Sequence, residues 1–251
     1  MLIMITDRCT MGCSHCMSKC VPEGDDMSFS MFEDALDFSL TRMPMTPVMI
    51  SGGEPTENPS FPMMVEFALD RISKSRFPVP LMIMSNGEWL SKNAEFLDEV
   101  EKRDGEKPLI QVVIDDRYYP RHVDESALRQ YDCVKLCYDV NMIYPQGRAL
   151  ENGLSFNAKA SKCFNVRAAV KQIHPKSLLE LALKYSLPHQ KYCSPNIDMF
   201  GNIRIGESFL CPICSSIYKT DEEIVEDIVR FSCHGCDFLN DKLPPQYRQF
   251  L

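Results

Sequence analysis

Three cysteines lie close together near the start of the chain, separated by three and then by two residues. They are Cys9, Cys13 and Cys16, and they directly follow an apolar run at residues 2–5. Cysteine thiolates are the usual ligands of iron–sulfur clusters, and one short loop with these intervals can wrap around three corners of a [4Fe–4S] cube. Three ligands leave one iron open to bind and activate a small molecule. The alternatives are a zinc knuckle and ordinary buried thiols.

A second motif stands about forty residues further on, where residues 51–56 read Ser-Gly-Gly-Glu-Pro-Thr. Taken alone, it could be an ordinary strand-to-helix turn. Together, the two motifs resemble the radical S-adenosylmethionine (radical SAM) superfamily, and His15 fits that family's preference for a ring before the third cysteine. The resemblance implies that Gly52, Gly53 and Glu54 bind the amino group of SAM. Glycine permits a close backbone approach, and a carboxylate accepts a charge-assisted hydrogen bond from an ammonium group.

The resemblance also assigns cofactor contacts to polar residues that follow later strands. Ser85 and Asn86 match a polar pair near the carboxylate or ribose of SAM, and Asp115 matches a ribose-binding position, with Asp116 as the alternative. Each could instead be a turn or cap residue. Arg148 either pairs with the SAM carboxylate or serves packing around its turn, and we favour packing.

Cys20 lies four residues after Cys16 and could fill the fourth corner of the cube. The site would then be an electron-transfer centre, and the Gly-Gly-Glu segment would have no purpose. We therefore expect Cys20 to be a free thiol or to face the substrate.

The resemblance implies an oxidoreductase chemistry in which SAM chelates the open iron and is cleaved by one electron from the cluster. The resulting 5′-deoxyadenosyl radical abstracts hydrogen from a substrate, and an electron donor such as flavodoxin or ferredoxin serves the cluster. The resemblance names no further catalytic side chain. The protein's task is to place the reactive carbon and to exclude competing reactions.

A second group of cysteines follows residue 190 and resembles the opening of a SPASM or Twitch module. Its first member precedes a small hairpin turned at Gly201, and Ile203 and Ile205 alternate as strand residues do. Four cysteines of this group would hold an auxiliary [4Fe–4S] cluster, and Cys163 is a further potential ligand. A four-cysteine zinc site is the alternative. The group consists of Cys193, Cys211, Cys214, Cys233 and Cys236.

Composition limits the class of protein. The 251 residues include 45% apolar side chains and carry a net charge of -8, which argues against a nucleic-acid-binding surface. The 12 cysteines fall in clusters, so metal ligation explains them better than a disulfide scaffold does. The N-terminal residues lack a signal peptide's basic region, and no apolar run reaches the length of a membrane span. We expect a reduced, cytoplasmic protein.

The elements that must position these groups alternate between strand and helix, which predicts a parallel sheet with right-handed crossovers. Each candidate group follows the carboxyl end of a strand, where α/β folds place their sites. The resemblance implies a partial TIM-like (β/α)5-6 barrel at 1–150 and a small cysteine-rich subdomain at 151–251. We predict strands at 2–5, 48–50, 79–84, 109–114 and 134–140, a sixth at 164–173 or missing, and helices starting at Ser28 and at 59–75, 91–102, 125–131, 177–185 and 222–230.

Three functions remain open. The first is a radical SAM enzyme that modifies a peptide or protein substrate, which a partner protein would present because the cysteine motif begins at residue 9. The second is an activase that forms a glycyl radical on a partner enzyme. The third is a non-catalytic iron–sulfur or zinc protein that carries electrons or binds a partner.

Overall fold

The structure is a computed structural model that describes residues 1–44, 46–103, 107–138, 143, 146–154, 195–206 and 208–231. Several predictions fall on the remaining residues and so lie outside the described part of the chain. These are the sixth strand at 164–173, the helix at 177–185, and the ligand candidates Cys163, Cys193, Cys233 and Cys236.

Strands and helices alternate through the described part of the chain. Two short 3₁₀ turns, Pro55–Glu57 and Leu90–Lys92, lie between the regular elements. The elements are β1 Leu2–Met4, α1 Phe29–Arg42, β2 Val48–Ser51, α2 Phe61–Ser73, β3 Leu81–Ser85, α3 Ala94–Glu101, β4 Leu109–Ile114, α4 Glu125–Leu128, β5 Val134–Tyr138, α5 Gly147–Glu151, β6 Pro195–Ile197, β7 Asn202–Ile205, β8 Ile213–Ser216 and α6 Asp221–Arg230.

One sheet unites the described strands, in the order β5-β4-β3-β2-β1-β6-β7-β8. The first five strands are parallel neighbours, and β1 also pairs in parallel with β6, so that Ile3 lies between Ile50 and Ile197. The strands β6, β7 and β8 continue as an antiparallel meander. The predicted α/β class is confirmed. The boundary at residue 150 stays a prediction, although β6 to β8 extend the same sheet as β1 to β5.

The parallel strands β1 to β4 share a buried core, and their direction determines at which edge of the sheet the candidate groups lie. Ile3, Ile50, Ile83 and Ile110 are fully buried on four adjacent strands. Helices α1 and α2 contribute apolar side chains to the same core. Because β1 to β4 run in parallel, the loops that follow them all emerge at one edge of the sheet. The cysteine loop, the Gly-Gly-Glu loop, residues 85–87 and residues 115–119 are therefore neighbours.

The ends of the helices test the local predictions. Ser28 caps α1 as predicted, because its side chain accepts a hydrogen bond from the Met31 N–H at 3.2 Å. The predicted start at Ser91 is wrong: the Ser91 hydroxyl donates to the carbonyl of Glu88 at 3.0 Å, and α3 begins only at Ala94. Helix α4 is a single turn and ends three residues before the predicted end at residue 131.

Within the described residues, no helix combines the length and apolar character needed to cross a membrane.

Candidate metal and cofactor centre

The cysteine loop folds back on itself directly after β1. The Cys9 N–H donates to the carbonyl of Val21 at 2.9 Å, which closes residues 9–21 into a compact loop. Cys9 and Cys20 are buried there, and Cys13 and Cys16 pack against them partly buried. The structure thus brings the three predicted ligands together and adds Cys20 to the same cluster.

The Gly-Gly-Glu loop docks on the segment that leads into the cysteine loop. The Gly53 N–H donates to the Thr6 carbonyl at 2.7 Å, and the Glu54 N–H donates to the Arg8 carbonyl at 2.8 Å. A Cβ atom on Gly52 would overlap the Thr6 oxygen, and one on Gly53 would overlap the Arg8 oxygen. Both glycines are therefore needed for contact with the protein's own backbone. Their predicted approach to SAM stays a prediction.

Glu54 is buried and ties this loop to the end of β3. Its Oε1 accepts hydrogen bonds from the Ser85 hydroxyl at 2.8 Å and from the Thr56 hydroxyl at 2.7 Å. Its Oε2 accepts from the Asn86 N–H at 2.6 Å, and the Thr56 N–H also donates to Oε1 at 3.2 Å. Burial raises the pKa of Glu54, while these donors oppose the shift. A carboxylate can accept about four hydrogen bonds, so the protein's own donors occupy most of the acceptor positions of Glu54.

The polar pair after β3 is built into the same network. The Ser85 hydroxyl accepts from the Gly87 N–H, and the Asn86 Oδ1 accepts from the Glu88 N–H, each at 2.9 Å. Both side chains are buried beside Glu54. The side-chain NH₂ of Asn86 makes no hydrogen bond within the described residues, so it remains a donor for a ligand.

The two aspartates after β4 differ in their surroundings. The Asp115 side chain is buried and forms a bidentate ion pair with Arg117, with N···O distances of 2.8 and 2.5 Å. The Asp116 side chain is 70% exposed and contacts His122 at 3.0 Å. Of the two predicted ribose contacts, only Asp115 is therefore buried among the loops that follow β1 to β4. Its carboxylate already has a cationic partner, Arg117.

Two tyrosines join the loop that follows β4 to the cysteine loop. The sequence alone did not single them out. The carbonyl of Tyr118 accepts from the Ser14 N–H at 3.0 Å. The rings of Tyr118 and Tyr119 lie 5.1 and 5.3 Å from the ring of His15. Burial lowers the pKa of His15, and its Nδ1 is buried without a hydrogen-bond partner in the described part of the chain. The only signal in the sequence was a Tyr-Tyr pair after Asp115.

Helix α5 docks against the far side of the cysteine loop. The Arg148 N–H donates to the Cys16 carbonyl at 2.8 Å, and its Nη2 donates to the Cys20 carbonyl at 2.7 Å. Gly147 has a φ of 55°, and a Cβ atom there would lie 2.6 Å from the carbonyl oxygens of Cys16 and Met17. Arg148 thus packs against the cysteine loop, and the choice between packing and pairing with the SAM carboxylate stays a prediction.

The electrostatics of the thiols suit a cationic metal cluster. Burial raises the pKa of Cys9 to about 11 and that of Cys13 to about 12. A hydrogen bond from the Cys20 side chain, helped by Arg148, lowers the pKa of Cys16. Bound metal holds thiols deprotonated, so iron would remove the cost of burying these thiolates. The described residues contain no group of three or more His, Cys, Asp or Glu side chains arranged for a single metal ion. A cube, whose ligands bind separate irons, has different requirements.

Two members of the second cysteine group are described. Cys214 lies on β8 and packs against the main core, and burial raises its pKa to about 12. The Cys211 side chain lies beside Gly206, and its carbonyl accepts from Arg204 at 2.5 Å. Since Cys193, Cys233 and Cys236 lie outside the described residues, the auxiliary cluster and its zinc alternative stay predictions.

No protein-family model and no curated protein matches the chain. Solved structures do match. The structure of BtrN in complex with AdoMet and 2-DOIA is 12% identical, with a TM-score of 0.51, over 92% of this chain and 81% of that one. Two structures of anSMEcpe with bound AdoMet, one of them also with a Cp18Cys peptide, are 10% and 12% identical, with a TM-score of 0.52, over 89% of this chain and 78% of theirs. These neighbours are radical SAM enzymes. The chain has the radical SAM fold. The radical SAM resemblance of the sequence and the fold thus agree.

Proposed function

We propose that this protein is a radical SAM enzyme whose N-terminal loop holds a [4Fe–4S] cluster on Cys9, Cys13 and Cys16. The observation that carries the proposal is the direct joining of two motifs. Backbone hydrogen bonds at 2.7 and 2.8 Å fasten the Gly-Gly-Glu loop to the segment that carries the cysteines. A bound [4Fe–4S] cluster would supply the electron that cleaves SAM to methionine and a 5′-deoxyadenosyl radical.

The chain's own residues bind and orient the cofactor in this proposal. The three thiolates hold the cluster, and the Gly-Gly-Glu loop lies beside them to receive the methionine part of SAM. The NH₂ group of Asn86, which has no hydrogen bond within the described residues, would donate to SAM at the end of β3, and buried Asp115 would contact the ribose. Glu54 positions the loop through its bonds to Ser85 and Asn86.

For the substrate we propose a peptide or protein. The anSMEcpe structure carries a Cp18Cys peptide, whereas the BtrN structure carries 2-DOIA, so the same fold accommodates both kinds of ligand. A flavodoxin or ferredoxin would deliver electrons. An auxiliary [4Fe–4S] cluster on the second cysteine group, or zinc in its place, belongs to the same proposal.

Anaerobic reconstitution tests the core of the proposal. With iron, sulfide, dithionite and SAM, the protein should release 5′-deoxyadenosine even without substrate. Cys13→Ser should abolish this release and the SAM-dependent change in the EPR spectrum. Cys137→Ser, which alters a thiol on β5, is the matched control and should retain both. An N-terminal cluster bound by four side chains, or an EPR spectrum that ignores SAM, would refute the proposal.

A further inference from the structure

Two side chains of opposite charge touch the cysteine loop from different elements. Glu57 ends the 3₁₀ turn that follows the Gly-Gly-Glu segment, and Arg148 lies in α5. The sequence assigns no role to Glu57, and for Arg148 it favours packing over pairing with the SAM carboxylate.

Glu57 holds the backbone immediately after Cys9. Its Oε1 accepts hydrogen bonds from both the N–H and the hydroxyl of Thr10, each at 2.8 Å. Arg121 also reaches the Thr10 hydroxyl at 3.2 Å, but its guanidinium forms an ion pair with Glu88 at 2.8 Å. Within the described part of the chain, the Glu57 carboxylate is the charged group that accepts from the Thr10 backbone N–H.

Arg148 has the opposite relation to the other end of the loop. Its guanidinium donates to the Cys20 carbonyl at 2.7 Å, and its backbone N–H donates to the Cys16 carbonyl at 2.8 Å. Its Nε is buried without a hydrogen-bond partner among the described residues. A buried N–H without an acceptor is costly, and a thiolate or sulfide of a cluster would be a suitable acceptor.

We propose that Glu57 and Arg148 are positioning residues that together set the reduction potential of the cluster held by Cys9, Cys13 and Cys16. Their opposite charges shift this potential in opposite directions. This inference rests on the proposed function. Reduction adds a negative charge to the cluster, so a nearby carboxylate disfavours it and a nearby guanidinium favours it. Net charge and hydrogen bonds to the sulfurs are established determinants of cluster potential.

The test is an EPR-monitored redox titration of the anaerobically reconstituted protein without SAM. The N-terminal cluster is identified by the signal that changes when SAM is then added. Glu57→Gln keeps an acceptor for Thr10 and removes the charge, so it should raise the potential. Arg148→Gln should lower it. We expect a change of about tenfold in the ratio of reduced to oxidised cluster at a fixed potential, which is about 59 mV for one electron.

Matched controls separate local from general charge effects. Glu66→Gln and Arg71→Gln make the same changes on α2 and should leave the potential unmoved. Arg148→Lys keeps the charge and should stay closer to the wild type than Arg148→Gln. If Arg148→Gln fails to assemble a cluster, Glu57→Gln must still shift the potential upward.

The outcomes distinguish the two proposals. Shifts that are absent, equal in sign or matched by the α2 controls overturn this inference while cluster assembly and SAM cleavage stand. A wild-type protein that assembles no SAM-responsive cluster overturns the proposed function instead.

Discussion

Replacing Gly53 with alanine tests how the Gly-Gly-Glu loop is held. The new Cβ would overlap the Arg8 carbonyl oxygen, far inside the 3.0 Å that real Cβ contacts respect. The two backbones must separate by roughly 1 Å to reach ordinary contact distances. The hydrogen bonds at Gly53 and Glu54, now 2.7 and 2.8 Å, would then exceed the accepted range. Losing two such backbone bonds costs about 2–4 kcal/mol in the free energy of unfolding.

Urea unfolding of the reconstituted protein, followed anaerobically by circular dichroism, measures this cost. With a slope of about 3 kcal/mol per molar urea, the midpoint should fall by about 1 M. Gly153→Ala is the matched control, because Gly153 has a φ of 62° and open space around its Cβ position. It should show only the cost of a left-handed alanine, about 1–2 kcal/mol. A Gly53→Ala midpoint within error of the wild type would refute the close-approach argument.

Two further predictions concern buried carboxylates. Asp198 is fully buried and pairs with Arg204 at 2.7 Å, so Asp198→Ala should lower the free energy of unfolding by about 3–5 kcal/mol. An unchanged urea midpoint would show that the pair is not needed. Burial raises the pKa of Glu54, so the folded state holds the proton more tightly than the unfolded state does. This contribution is complete below the unfolded pKa and is lost as the pH rises through the folded value. Unfolding measured across pH should show that loss in the wild type and not in Glu54→Gln.

The alternation of strands and helices was predictable because it depends on local apolar patterns. Strand β4 has the predicted bounds, Leu109–Ile114, and Ser28 caps α1 as expected. The start of α3 was not predictable, since a serine and an asparagine two residues apart both suit a cap. The choice between them depends on the bond from Ser91 to Glu88 within a 3₁₀ turn. The parallel pairing of β1 with β6 was also hidden, because no local pattern specifies a partner so distant in sequence.

The candidate site was predictable in its members and less so in their contacts. The spacing of the cysteines and the Gly-Gly-Glu segment identified residues that the structure brings to one edge of the sheet. The sequence did not reveal that Glu54 would bind Ser85 and Asn86, or that Arg148 would reach the cysteine loop. These contacts depend on the relative placement of loops, which only the assembled sheet determines.

The double pairing of β1 has a consequence for how the chain is made. Leu2 pairs with Met49 on one side and with Asn196 on the other. In a nascent chain, the second side therefore stays an open edge until Pro195–Ile197 has emerged from the ribosome. Unpaired sheet edges promote intermolecular association. A fragment that stops at residue 150 would keep this edge exposed, next to its cysteine-rich loop, so expression should use a chain that includes β6.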